Sequence, residues 1–174
     1  MPGIEPTAFP RDYAREFIRK LDAPNIPFQY RNELWAPLEG FTPAWTTSGT
    51  APVLGAGGSI TGRFKRFGSV GFYRGVINVG GATTFGTGEW RVSLPTGWQV
   101  STDLTNGDQD GLVIMRPNGS TKYTGFCFAL PGEFVLRMQT NSLTPASVTN
   151  TAPVTWTANT ANFLSWKIWL ELVD

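Results

Sequence analysis

Leu112-Val113-Ile114-Met115-Arg116-Pro117, then Asn118-Gly119, then Ser120-Thr121-Lys122-Tyr123-Thr124-Gly125-Phe126-Cys127-Phe128-Ala129-Leu130 is the stretch that decides the fold class. Two runs rich in β-branched and aromatic residues flank Asn-Gly, the dipeptide that supplies both positive-φ positions of a type I′ hairpin turn. The second run alternates, with Phe126, Phe128 and Leu130 in one phase and Tyr123, Gly125 and Cys127 in the other. Period two over this length predicts a strand, and the pair predicts an antiparallel hairpin.

The same pattern spreads in both directions. Trp90, Val92 and Leu94 alternate with Arg91 and Ser93, which predicts a half-buried strand. Ser59 to Phe67 and Val70 to Val79 are separated by a Gly68-Ser69 turn, and the second carries large side chains in both phases, so it is expected to be covered on both sides. Phe41 to Thr46 opens the series. Phe134, Leu136 and Met138 form a further alternating strand, Val154 and Trp156 mark strand core inside a polar stretch, and Trp166, Ile168, Leu170 and Leu172 close the chain. Eight or more short strands at this spacing predict an all-β fold, an antiparallel β-sandwich with a jelly-roll-like topology. No internal repeat is visible.

Composition agrees. Of 174 residues, 20 are Gly and 13 are Pro, 13% are aromatic, and only 16% are charged. There is no histidine, so no Ser-His-Asp triad, Cys-His pair or imidazole metal ligand is available. A single cysteine, Cys127, excludes an intrachain disulfide and a cysteine-rich zinc site and suits a reducing cytoplasm. The net charge of +1 supplies no long-range field for nucleic acid. No apolar run approaches the roughly 20 residues that span a bilayer, and the N-terminus has no secretory pattern, so neither membrane nor export is expected.

Charge is unevenly placed. Residues 1–40 carry eleven of the 27 charges, and this step divides the chain into an N-terminal helix and docking arm, 1–40, and a β-domain, 41–174. After Pro10, the residues Ala14, Phe17, Ile18 and Leu21 recur at helical spacing, opposite Arg11, Arg15 and Arg19. Pro24 stops the pattern, and Ala23 to Phe28 reads as extended backbone. A helix of about twelve residues is marginal alone in water, so its stripe must dock. Folding back on its own domain and docking on a neighbouring subunit are both open, and Arg11, Ala14, Arg15, Phe17, Ile18 and Leu21 are the candidate docking residues.

Other constellations fail at their diagnostic positions. Gly55-Ala56-Gly57-Gly58 lacks the lysine of a phosphate loop and reads as a turn. Asn106, Asp108, Asp110 and Gly111 imitate half a calcium loop, but Pro117 stands where the bidentate Glu belongs. Neither cofactor nor metal is expected. Glu89, Glu133 and Glu171 fall in or beside strands with nothing to pair them for acid/base work. The Asn118-Gly119-Ser120 sequon reads as turn chemistry. Most tryptophans are expected in the core, with Trp169 the exception: it sits in the phase opposite Trp166, Ile168 and Leu170 and is the candidate subunit-interface or ligand-stacking aromatic.

Phe41 to Gly55, the Thr61-Gly62-Arg63 step, Thr83-Thr84-Phe85-Gly86-Thr87-Gly88-Glu89-Trp90 with Ser93-Leu94-Pro95, and Pro153-Val154-Thr155-Trp156 together resemble a module of virion proteins from tailed phages that infect actinobacteria. The resemblance spans about 41–174. It implies a non-enzymatic structural β-domain displayed on the particle, in minor tail proteins and sometimes on the head. It also implies other virion proteins as partners, a homotrimer, and synthesis in the host cytoplasm. The expectation is therefore a capsid-decoration or minor capsid protein anchored by its arm. The alternative is a minor tail protein or a receptor-binding tail module, with loops 99–110 and 139–152 and an exposed aromatic presented to a host surface glycan.

Overall fold

A computed structural model describes residues 37–103, 110–141 and 145–173. The docking-arm residues Arg11, Ala14, Arg15, Phe17, Ile18 and Leu21, with the helix expected there, lie outside the described residues, as does the middle of the acidic loop. The rest is all-β and antiparallel. In chain order the strands are β1 (Glu39–Phe41), β2 (Trp45–Thr47), β3 (Ser59–Phe67), β4 (Val70–Asn78), β5 (Trp90–Ser93), β6 (Asp110–Arg116), β7 (Tyr123–Phe128), β8 (Val135–Thr140) and β9 (Phe163–Glu171).

They form one nine-stranded sheet in the order β1-β3-β4-β9-β6-β7-β8-β5-β2. A two-sheet jelly-roll sandwich is therefore corrected to a single continuous ladder that curls. Chain connectivity requires the curl. β1 and β2 lie at opposite edges, yet only Thr42, Pro43 and Ala44 separate them. Four residue steps reach roughly 14 Å at most, whereas the edges of a flat nine-stranded sheet would stand roughly 38 Å apart. Ser93 fixes this link, accepting from the Ala44 N–H at 2.9 Å through Oγ and donating its own N–H to the Ala44 carbonyl at 2.9 Å.

The interior of the curl is the core. Tyr73 on β4 reaches across to donate its hydroxyl to the Ser93 carbonyl of β5 at 3.1 Å, and burial drives the phenol far above its ordinary pKa. Phe64 packs edge-on to Trp98 at 5.3 Å, and Tyr73 packs edge-on to Trp166 at 5.6 Å. Trp45, Phe85 and Trp156 surround the buried Trp90. Small residues make room for these rings. A Cβ on Gly75 would collide with the Trp166 indole and stand 2.6 Å from the Thr61 carbonyl oxygen, and a Cβ on Gly71 would lie 2.5 Å from Trp98.

Several local expectations are corrected. β4 is covered on one face only: Gly71, Tyr73 and Ile77 point inward, while Val70 and Arg74 are exposed. The Phe41–Thr46 strand is two strands broken at Pro43, because the chain crosses there from one sheet edge to the other. The hairpin at Asn118-Gly119 closes at Met115↔Tyr123, not in a two-residue turn. Only Gly119 has positive φ, and Asn118 Oδ1 instead accepts from the N–H groups of Ser120 and Thr121 at 3.4 and 3.3 Å. Val154 and Trp156 lie in no strand, although Trp156 is core.

The glycine fit generates a paired test. Gly75→Ala should cost about 1–3 kcal/mol in urea unfolding through overpacking against Trp166. Gly40→Ala, where an added Cβ meets nothing within 4 Å, should stay within about 0.5 kcal/mol.

Candidate functional site

Three surfaces follow from this architecture. The first is the block that carries most of the sequence resemblance, Thr83 to Trp90, and it is a clip that zips onto Ser48–Leu54. Thr83 Oγ1 donates to the Leu54 carbonyl and accepts from the Gly80 N–H. Val53 and Thr84 exchange both backbone bonds at 2.8 Å. Thr87 takes the Thr50 N–H on its hydroxyl at 3.0 Å and gives its own N–H to the Thr50 carbonyl at 3.2 Å. Gly86 turns the chain at φ 65°, with the Thr50 carbonyl where a Cβ would stand. The Glu89 N–H bonds Ser48 Oγ at 2.9 Å, Phe85 stacks on Trp90 at 5.9 Å, and Trp90 is buried. The side chains of Thr83, Phe85, Thr87 and Trp90 are spent on the fold, and Thr84 contributes its backbone.

The second surface brings two candidate carboxylates together. Glu89 and Glu133 both bind Arg137: Glu89 at 3.2 Å, Glu133 through a closer contact. Arg91, which faces Arg137 across the β5–β8 ladder, reaches Glu89 at 3.5 Å. The sequence showed these glutamates 44 positions apart with no link; the β5–β8 pairing supplies one. The hydrogen bond from Arg137, aided by the Leu130 N–H, holds the Glu133 carboxyl below its ordinary range, while partial burial opposes the shift. Glu133 and Glu89 in turn raise Arg137. A glycosidase acid needs its carboxyl pushed up so that it stays protonated. Glu133 is shifted the other way, as a structural ion pair would be. Glu171 is the last residue of β9.

The third surface is the outer face of β3, β4, β9, β6 and β7. Trp169 is 58% exposed there, as its phase predicts, and it packs against Phe72 at 4.9 Å and Phe67 at 6.2 Å. Phe126 is 41% exposed on the same face, since Gly125 and Cys127 take the inward phase of β7. The alternation located two phases in β7 but did not say which was inward, and Gly125 is needed there because the Gln139 carbonyl of β8 and the Met115 side chain occupy the space a Cβ would take.

Cross-strand register then places Arg63, Arg74, Lys167, Leu112 and Phe126 side by side in one row, on five successive strands. The three cations are exposed. Two shallow concavities of about 410 and 490 Å³ adjoin on this row and share Lys167 and Leu112. Sequence reading missed the row because its members are dispersed over some hundred residues and meet only through pairing. Among the described residues no three His, Cys, Asp or Glu side chains converge on a metal-sized site.

The depressed Glu133 pKa fixes a pH dependence. Its stabilisation is complete above the unfolded glutamate value of about 4.3 and fades as pH falls through the lower folded value. Glu133→Gln should lose about 1 kcal/mol at neutral pH, or about 2–4 °C in Tm. The gap to the parent protein should then close below about pH 4 in thermal melts.

No family model and no curated protein matches this sequence. In a comparison with solved structures, the chain is similar to the crystal structure of the Dettilon tailspike protein, at 14% identity and a TM-score of 0.48. The match covers 78% of this chain and 24% of that one, so the chain spans about a quarter of the tailspike's length.

Proposed function

We propose that the chain is a non-enzymatic structural protein of a phage particle, with its curled β-domain displayed on the particle surface and residues 1–40 serving as the anchor. The observation that carries this reading is the use made of the Thr83–Trp90 block. The residues that resemble the virion module are the ones that clip two loops together and seat Trp90 in the core, so the resemblance concerns a scaffold. The Glu89–Arg137–Glu133 cluster supports the absence of catalysis, because its carboxylates neutralise arginines rather than stand apart in a cleft.

A particle-surface subunit needs a rigid body, a tether and a face that meets other polypeptides. The curled sheet supplies the first. The amphipathic pattern Ala14, Phe17, Ile18 and Leu21 fits the second, and assembly as a small symmetric oligomer, a trimer by resemblance, would multiply the tether's hold. Capsid decoration is the leading placement, and a minor tail position is the alternative.

Particle assembly with a chain lacking residues 1–36, which leaves β1 intact, tests the anchor. Purified particles should lose the protein at least tenfold by quantitative immunoblot, whereas the truncated chain should melt within a few degrees of the parent. Normal incorporation would refute the anchoring role. Labelling the full chain in particle density, on the head shell or on the tail, separates the two placements.

A further inference from the structure

We propose that the outer row Arg63-Arg74-Lys167-Leu112-Phe126 is a docking surface for an acidic segment of a partner polypeptide, whose carboxylates meet the three cations and whose apolar residues settle over Leu112 and Phe126. Arg63 faces Arg74 directly across β3–β4, and Arg74 faces Lys167 directly across β4–β9. Strands lie about 4.8 Å apart, so three positive charges fall within about 10 Å. Like charges directly opposite one another destabilise a sheet.

The protein shows how it handles such a pair elsewhere. Arg91 and Arg137 also face each other across a ladder, and Glu89 and Glu133 neutralise them. Those carboxylates serve Arg91 and Arg137, and no ion pair found among the described residues serves Arg63, Arg74 or Lys167. A cation row that no carboxylate among the described residues neutralises is a surface awaiting anions.

The neighbouring chemistry selects the kind of anion. Trp169 and Phe72 border the row, Phe126 ends it, and the floor is Gly75, Val76, Leu112 and Ile114. Exposed aromatic and arginine side chains over an apolar floor are the composition of a protein-binding patch. A glycan would need neutral donors and acceptors for its hydroxyls, and the two concavities offer only Thr61 and Ser165 side chains for that purpose. A second copy meeting this face about a two-fold axis would set cations against cations. Charge complementarity therefore commits the surface to an acidic, apolar-bearing partner segment. This inference goes beyond the virion reading and stands without it.

The probe is a soluble glutamate-rich peptide ending in Leu-Phe, titrated into the full chain while tryptophan emission is followed. Saturable binding should weaken at least tenfold in the Arg74→Glu/Lys167→Glu double variant and several-fold in Phe126→Ser. It should be unchanged in Lys122→Glu, an exposed cation on the loop after β6. Raising salt from about 0.1 M to about 1 M, which shortens the Debye length from about 10 to about 3 Å, should also weaken it. Arg74→Glu alone should raise Tm, because it replaces two cross-strand repulsions by attractions; that readout shows the variant is folded. Equal binding by parent and double variant, no saturable binding of the peptide, or tighter binding of heparin than of the peptide would each overturn the proposal. So would loss of a pre-existing oligomer on Arg74→Glu, which would mark the face as a contact between copies.

Discussion

The last strand is the member on which the rest of the sheet depends. β9 enters between β4 and β6, pairing all nine of its residues with β4 and five with β6. Without it the β3–β4 hairpin and the β6–β7–β8 meander would each present an open edge, and neither could bury its inner face alone. Its inward residues Leu164, Trp166, Ile168 and Leu170 are all buried, and Trp166 meets Tyr73 across a space that Gly75 keeps clear. The curl, the core and the outer row all follow from that insertion, because β9 carries both Trp166 inward and Lys167 outward.

The strands were legible in the sequence wherever burial is one-sided. β3 has the bounds read from the sequence, β9 begins at Phe163, three residues before the alternation from Trp166, and the phase argument put Trp169 outside. What alternation cannot express is which layer covers the buried face. Facing strands of a second sheet and the far side of the same sheet rolled over leave the same period-two imprint, so the jelly-roll expectation and the single curled ladder were indistinguishable by pattern. Pro43 held the missing information: a proline cannot donate to a ladder, and a break there sends β1 and β2 to opposite edges. β4 was misread for a related reason. Phe72 and Val76 are large, but they lie on the outer face and lean on neighbours such as Trp169 rather than on a second layer. Asn118-Gly119 misled because Asn118 uses its side chain to close the turn in place of a left-handed backbone.

The candidate surface was less legible than the fold. Single residues can be singled out along a sequence, as Trp169 was, but a row is a property of register. Arg63, Arg74 and Lys167 become neighbours only after β3, β4 and β9 pair, just as Glu89 and Glu133 become partners only after β5 meets β8. That row and the Arg91–Arg137 pair are both like-charged side chains brought face to face by pairing, and they differ in one respect. Glu89, just before β5, and Glu133, two residues before β8, cancel the arginine pair, whereas no ion pair among the described residues reaches the row.

That difference separates scaffold from surface. On the β5–β8 side, charge is consumed locally, and the resemblance-bearing clip is closed by hydrogen bonds within the chain, so nothing there calls for a second molecule. On the β3–β4–β9 side, repulsion between adjacent cations works against the very strand pairings on which the sheet depends, and exposed Trp169 and Phe126 keep apolar area in water. Both features oppose stability of the isolated chain, and both are relieved by one acidic, apolar-bearing segment lying across the row. A fold that pairs Arg91 and Arg137 with glutamates on one side, and on the other sets Arg63, Arg74 and Lys167 in a row with no ion pair among the described residues, is organised to be completed by another polypeptide at that row.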